Sequence, residues 1–269
     1  MATRARSDSI RQAPVTPPGY PVRITWADNS QWFIAPKQKR SRETMRRIFD
    51  ASIHLFSNQG YDATTQQEIA ARAGVTVGSI YRRFPDKKAL LYTLLEGFSK
   101  SRIAELNRMC EGKIWQNKTF DCIILFYVDL VFNAYRFDAD MLRIMERRRL
   151  VDPVVSKLSA DLSKHAVNTF GALLVPHCSV PLRKVKSQFS ILHTIVQGFL
   201  IYRMMPDPAL PDYGIPLSAP LLKESVRKFA LNHMNLMTVA HQSAASVRSR
   251  KAIEVGLPAV NLQGDSGCS

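Results

Sequence analysis

Thr65, Thr76, Ser79, Tyr81 and Arg82 fall within one stretch of eighteen residues, and Lys87 follows shortly after. Their hydroxyls are of a length suited to phosphate oxygens, and the Arg82 guanidinium can reach a guanine edge or a phosphate. Val77 offers a methyl surface for a thymine methyl, and Gly78, lacking a Cβ, lets backbone approach a partner closely. Lys39 and Arg40 stand in a basic run with Lys37 and Arg42 that leads into this region. Such an arm suits a phosphate backbone or a minor groove. The chemistry is recognition of a polyanion rather than bond breaking.

These side chains act together only if short helices hold them. Thr65 with Glu68 three positions on reads as a capping box that opens a first short helix. Ile69, Ala70 and Ala73 give it a small apolar face, Gly74 supplies a turn, and Thr76 opens a second short helix. Helix, tight turn and short second helix is the helix-turn-helix that reads DNA. A preceding helix from about Ser41 to Asn58 carries Met45, Ile48, Phe49, Ser52, Leu55 and Phe56 at helical spacing and ends at Gly60. Ile69, Ala70, Ala73, Val75, Ile80 and Phe84 form the miniature core that packs on it. Asp86 caps a further helix from Lys87 to about Met109.

The chain of 269 residues carries 37 Lys and Arg against 22 acids, and the excess is concentrated at the N-terminal end. Residues 1–40 hold seven basic residues against two acids, and residues 41–88 hold eight against five. That gradient places a nucleic-acid surface in the first third. Four cysteines without CxxC spacing read as reduced thiols. With no signal peptide and no long uncharged apolar run, a cytoplasmic protein away from membranes is expected. The six histidines show no metal-ligand spacing, and neither a nucleophile elbow nor a phosphate-binding glycine loop occurs, so no enzyme and no cofactor is expected.

The rest of the chain reads as helical, with candidates at about 118–135, 138–149, 152–174, 180–204 and 220–240. The fold class is therefore all-α. A flexible basic extension covers 1–40, a three-helix DNA-binding domain 41–88, a larger helical domain 89–243 and a fraying tail 244–269. The turn-rich stretch from Pro206 to Pro220 reads as a surface loop. The Arg147-Arg148-Arg149 run reads as a solvated helix end.

Residues Ser41 to Leu95 resemble the DNA-binding domain of the TetR family of bacterial one-component regulators. The resemblance rests on Phe56, Gly60-Tyr61, Thr64-Thr65, Ile69-Ala70, Ala73-Gly74-Val75, Gly78, Ile80-Tyr81, Phe84, Lys87 and Leu90 in that order. It implies that Thr65, Thr76, Tyr81 and Lys87 touch phosphates and that Val77, Gly78 and Arg82 lie in or near the major groove. Arg83 stands where the family often has His or an aromatic, and no role carries over to it. The resemblance also implies a homodimer on a palindromic operator, released by a small-molecule effector, with repression as the family habit.

The last two long helices would join the dimer. Phe189, Leu192, Ile195, Val196, Phe199 and Leu200 make one apolar stripe, and Val226, Phe229, Ala230, Met234 and Met237 another. Candidate walls of an effector pocket are Phe98, Ile103, Phe120, Ile124, Phe126, Tyr127, Met141, Met145, Phe170 and Leu173. Tyr127, His165 or Asn168 could supply an oriented hydrogen bond to an apolar or amphipathic molecule. The competing reading is a non-sensing architectural DNA-binding or protein-interaction module, whose larger domain has a solid core.

Overall fold

The computed structural model describes residue 32, residues 38–205 and residues 219–235. Within them the chain is all-α, with ten helices and one short 3-10 turn. They are α1 (Lys39–Asn58), α2 (Gln66–Ala73), α3 (Val77–Tyr81), α4 (Lys87–Met109), α5 (Gly112–Trp115), α6 (Phe120–Phe137), α7 (Ala139–Arg149), α8 (Pro153–Leu174), α9 (Leu182–Met204) and α10 (residues 220–235). Residues 1–37 of the N-terminal extension apart from Trp32, the Pro206–Pro220 loop up to residue 218 and the C-terminal tail lie outside the described residues, as does Met237; Lys39 and Arg40, expected in the extension, belong to α1.

Polar caps set where these helices begin. Thr65, Thr76, Asp86, Thr119 and Asp152 each accept a backbone N–H of the first turn they precede. This satisfies donors that a helix start otherwise leaves open. Pro153 begins α8, where its missing N–H costs nothing. The helix of four residues at Gly112–Trp115 had no sequence signal. Trp115 is buried there and its indole N–H donates to the Met109 carbonyl at 2.9 Å.

Two apolar cores result. The first joins α1, α2 and α3 to the N-terminal half of α4 through Met45, Ile48, Phe49, Ile69, Ile80, Phe84, Leu90 and Leu94, and it recruits Met141, Ile144, Met145 and Val155 from α7 and α8. Trp32 packs at its edge, its ring 4.8 Å from Tyr92 in an edge-on arrangement. The second core fills the bundle of α6, α8, α9 and α10 around Tyr127, Phe170 and Phe189. The first core therefore continues past residue 88, the end of the DNA-binding domain expected from sequence. Asp129 is buried in α6 and is bridged by Lys223 at 2.8 Å and Arg227 at 2.6 Å, which ties α10 to the bundle.

Candidate nucleic-acid interface and buried cavity

The turn between α2 and α3 is fixed from both sides. Gly74 sits at φ 62°, a left-handed conformation that glycine adopts at no steric cost, and closes α2. Arg47 of α1 donates to the carbonyls of Ala73 at 3.2 Å and Gly74 at 3.4 Å, placing a cation at the negative end of α2. At the far end of α3, Arg83 donates to Ser79 O at 2.8 Å and to Ser41 Oγ at 2.9 Å. Arg83 thereby bolts the recognition helix to the start of α1. Partial burial, with Arg82 alongside, pulls its pKa down from the ordinary arginine value.

This frame turns one face of α3 outward. Tyr81 is 52% exposed, and Thr76, Gly78 and Arg82 are exposed as well. A Cβ built on Gly78 meets nothing within 4 Å, so the protein itself does not require glycine there. Thr76 Oγ1 and Ser79 Oγ lie 2.9 Å apart, and the Thr76 oxygen also accepts the Ser79 amide. Val77 is half-buried and packs partly on the first core. Lys39 and Arg40 are exposed in the first turn of α1.

Thr65 forms the expected capping box, and Lys87 makes contacts within the protein that the sequence did not suggest. The Thr65 hydroxyl accepts the Glu68 amide at 3.2 Å and donates to Glu68 Oε2 at 2.8 Å, completing the capping box. The Thr65 amide and hydroxyl hold the Glu68 carboxyl below the usual carboxylate range. The Lys87 ammonium donates to the carbonyls of Tyr61 and Thr64, both at 2.7 Å, and lies 3.4 Å from that of Asp62. An ammonium has three donors, and all three serve the loop between α1 and α2. Lys87 staples that loop.

The Arg147-Arg148-Arg149 run is likewise not a merely solvated helix end. Arg147 donates to the Ser57 carbonyl at 3.0 Å. Arg148 reaches both oxygens of Asp62, at 3.0 and 3.1 Å. The Tyr61 ring lies between two cations, with Lys87 Nζ 4.4 Å and the Arg148 guanidinium 4.5 Å from its centroid. Arg149 pairs with Glu146. Helix α7 thus grips the loop that carries the DNA-reading unit.

The bundle encloses a cavity of about 90 Å³ between α4, α6, α7, α8 and α9. Three of the expected wall residues, Tyr127, Met145 and Phe170, line it. The other nine expected positions lie elsewhere. Phe98 and Met141 are buried in the first core, Ile124 and Phe126 in the second, and Phe120 and Leu173 pack at the edge of the second. Ile103 is half-buried without lining the cavity, Asn168 is exposed, and His165 Nε2 pairs with Asn107 Oδ1 at 2.7 Å on the outside.

Sequence reasoning overlooked the polar wall of Tyr135, His193 and Gln197 beside Tyr127. The signal existed in the spacing. His193 and Gln197 are four apart on α9, and Tyr127 and Tyr135 eight apart on α6, so each pair shares one helix face. Tyr127 Oη is 2.9 Å from His193 Nδ1, and Tyr135 Oη donates to Gln197 Oε1 at 2.5 Å. Burial lowers the His193 pKa to about 4 and raises those of both tyrosines. All three side chains are neutral at pH 7.

Residues 48–93 match the sequence profile of bacterial regulatory proteins of the tetR family. That segment of the chain is a TetR-family DNA-binding domain. Over 81 residues it is 42% identical to the HTH-type transcriptional regulator AcrR of Shigella flexneri, a match covering 30% of this chain and 37% of that protein. Over 62 residues it is 45% identical to the HTH-type transcriptional repressor KstR of Mycobacterium tuberculosis, covering 23% of this chain and 28% of that one. The chain therefore spans well under half the length of these curated relatives. In fold it is similar to a TetR-family transcriptional regulator from Mesorhizobium loti, with a TM-score of 0.54 at 14% identity, covering 76% of this chain and 98% of that one.

The residues expected at a subunit interface divide by burial. Phe189, Leu192 and Val196 are fully buried in the protomer's own core, and Met234 is buried there too. Phe199 and Val226 are half-buried, and Phe229 is exposed. Of the expected α9 stripe Ile195 is exposed, and it shares the outward side with Ile191, Gly198 and Tyr202 at helical spacing. Among the described residues no helix is long and apolar enough to cross a membrane, and no group of three or more His, Cys, Asp or Glu is placed to hold a metal ion.

Proposed function

We propose that the chain is a transcriptional regulator, a repressor by habit of its relatives, that binds a palindromic duplex operator as a homodimer in the cytoplasm. A small effector in the cavity releases it. The observation that carries this reading is the outward face of α3, where Tyr81, Thr76, Gly78 and Arg82 are exposed on a helix held rigidly by Arg47 and Arg83. Tyr81, Thr76 and Ser79, with Lys39 and Arg40 of α1, are the phosphate contacts, and Arg82, Val77 and Gly78 meet the groove. The similarity to AcrR and KstR, regulators by name, falls on this same unit. Thr65 and Lys87 act by shaping the unit.

A single short recognition helix touches few bases, so two copies are needed, centred about one helical turn of DNA apart or a multiple of it. The second copy docks on the face that carries Ile191, Ile195 and Tyr202, with Phe229 of α10 beside it. Helix α7 provides the link to the effector. Leu142, Met145 and Glu146 line the cavity, and the next two residues, Arg147 and Arg148, hold Ser57 and Asp62. An effector that displaces α7 therefore moves the loop on which α2 is mounted. Domains follow this division of labour: 41–88 reads DNA, and 89–243 senses and dimerises.

Selection of bound duplexes from a random pool tests the reading. The expected result is a palindrome whose recovery falls when a cavity-filling compound is added and whose consensus changes with Arg82→Ala. Recovery of no preferred sequence, with the folded full chain, would refute it.

A further inference from the structure

The polar wall of the cavity is a relay of four side chains with three links. Tyr135 Oη lies 2.5 Å from Gln197 Oε1, Gln197 Nε2 lies 3.5 Å from His193 Nε2, and His193 Nδ1 lies 2.9 Å from Tyr127 Oη. Each phenol has one proton, the neutral imidazole has one, and the amide donates through nitrogen and accepts through oxygen. With Tyr135 donating to the amide oxygen, the amide N–H serves His193 Nε2. The ring proton then sits on Nδ1 and goes to the Tyr127 oxygen, so the Tyr127 O–H is left over. With the relay reversed and the amide turned over, Tyr127 donates to Nδ1 and the amide N–H serves the Tyr135 oxygen. The Tyr135 O–H is then the one left over. In either polarity one phenolic O–H, on a tyrosine that lines the cavity, is left without an acceptor in the relay.

The charges at the wall are already matched. Arg102 pairs with Asp138 at 3.2 Å, and Glu146 pairs with Arg149. An ionic ligand entering there would lose water without gaining an uncommitted counter-charge, which is costly in a low-dielectric site. Apart from Ser159 and Ser163, the remaining wall is apolar, formed by Leu106, Val131, Leu162 and Phe170 among others.

We propose that the effector is an uncharged small molecule with an apolar, ring-sized body and one carbonyl oxygen, held by the phenolic O–H that the relay leaves over. This rests on the reading of the cavity as the effector site. The test is calorimetric titration of the full-length protein with cyclohexanone, cyclohexanecarboxylate and cyclohexylamine, which share one frame and differ in charge. Cyclohexanone is expected to bind at least about tenfold more tightly than either charged relative. Because the relay reverses, Tyr127→Phe or Tyr135→Phe alone should weaken the ketone by no more than about threefold. The double variant should lose about tenfold. Both substitutions keep the rings that pack the core, and thermal melting of each variant verifies folding.

Equal or tighter binding of the carboxylate or the ammonium compound overturns the proposal. So does undiminished ketone binding by the folded double variant, or absence of heat with all three compounds. Affinity for a selected duplex is measured on the same samples. Ketone binding that leaves duplex affinity unchanged overturns the regulatory reading of the cavity while the ligand class stands.

Discussion

The DNA-reading unit and the bundle around the cavity are held together by different forces. In the first, cationic side chains fasten backbone carbonyls: Arg47 at the end of α2, Arg83 on α3, Lys87 on the α1–α2 loop and Arg147 on the end of α1. Each is a charge-assisted bond between fixed points, and together they leave α3 little freedom. In the second, aromatic rings pack edge-on and stacked around Tyr127, Phe170 and Phe189, and the polar groups bond to one another rather than to backbone. Side chains that bond mainly to each other can re-pair around a guest. The contrast fits the two tasks, since a misplaced recognition helix misses the base edges whereas a sensor has to yield.

The sharpest way to break the contrast is to empty each core in turn. Phe84 is fully buried beneath α3, its ring 6.0 Å from that of Phe49. Phe84→Ala is expected to cost about 3–5 kcal/mol in urea unfolding and to abolish duplex binding. Phe170 is fully buried as well but already borders the cavity. Phe170→Ala should cost less and leave duplex binding intact, because the change enlarges a space the bundle tolerates. An equal loss at both sites would show that the bundle is as tightly specified as the reading unit.

Acid provides the next test. Burial holds the His193 pKa at about 4, below its unfolded value of about 6.5. Above the unfolded value neither state is protonated and stability is unaffected. As pH falls from about 6.5 towards about 4, the unfolded chain takes up a proton that the native site refuses. Stability drops by up to about 1.4 kcal/mol per pH unit and levels off below the native pKa. Denaturation midpoints at pH 7, 5.5 and 4.5 should show this slope, and His193→Gln should flatten it. A slope unchanged in His193→Gln would place the acid sensitivity elsewhere.

Lys87 separates stapling from phosphate contact. Lys87→Met removes three charge-assisted donors from the α1–α2 loop and is expected to cost about 1.5–3 kcal/mol in stability. Duplex affinity should fall in proportion, with the dependence on salt unaltered. A stable variant whose salt slope falls by about one would show that the ammonium turns to a phosphate in the complex.

The caps and the turn of the reading unit were legible in the sequence, and the bundle only to the level of its helices. Thr65, Glu68, Gly74, Thr76 and Asp86 act through local bonds within a few residues, so their spacing alone specifies the capping they perform. Helices α4 and α8 follow the same logic and begin next to their caps, Asp86 and Asp152. Which side of α9 faces inward depends on partners far along the chain. Apolar residues on neighbouring faces, such as Leu192 and Ile195, look alike in the sequence yet differ entirely in burial. The carbonyl contacts of Lys87 and Arg147 were not legible for a related reason. A carbonyl acceptor 25 or 90 residues away leaves no mark on local pattern, and a lone basic residue invites assignment to an external anion.

Arg82 defines the smallest effect on stability and the clearest on recognition. It is exposed at the end of α3, beside Arg83, which is committed to Ser79 and Ser41. Arg82→Ala should leave the unfolding free energy within about 0.5 kcal/mol of the parent, as exposed substitutions do. Binding to the selected duplex should weaken by about 1–3 kcal/mol, with specificity relaxed at one base position per half-site, if the guanidinium reads a base. Uniform weakening across sequences with a salt slope reduced by about one would move Arg82 to the phosphate backbone. Arg83→Ala supplies the counterpart, since it loses a clamp rather than a reader. It should lower stability and blur every position together, and the difference between these neighbouring arginines measures how far rigid presentation and direct contact are separable on this helix.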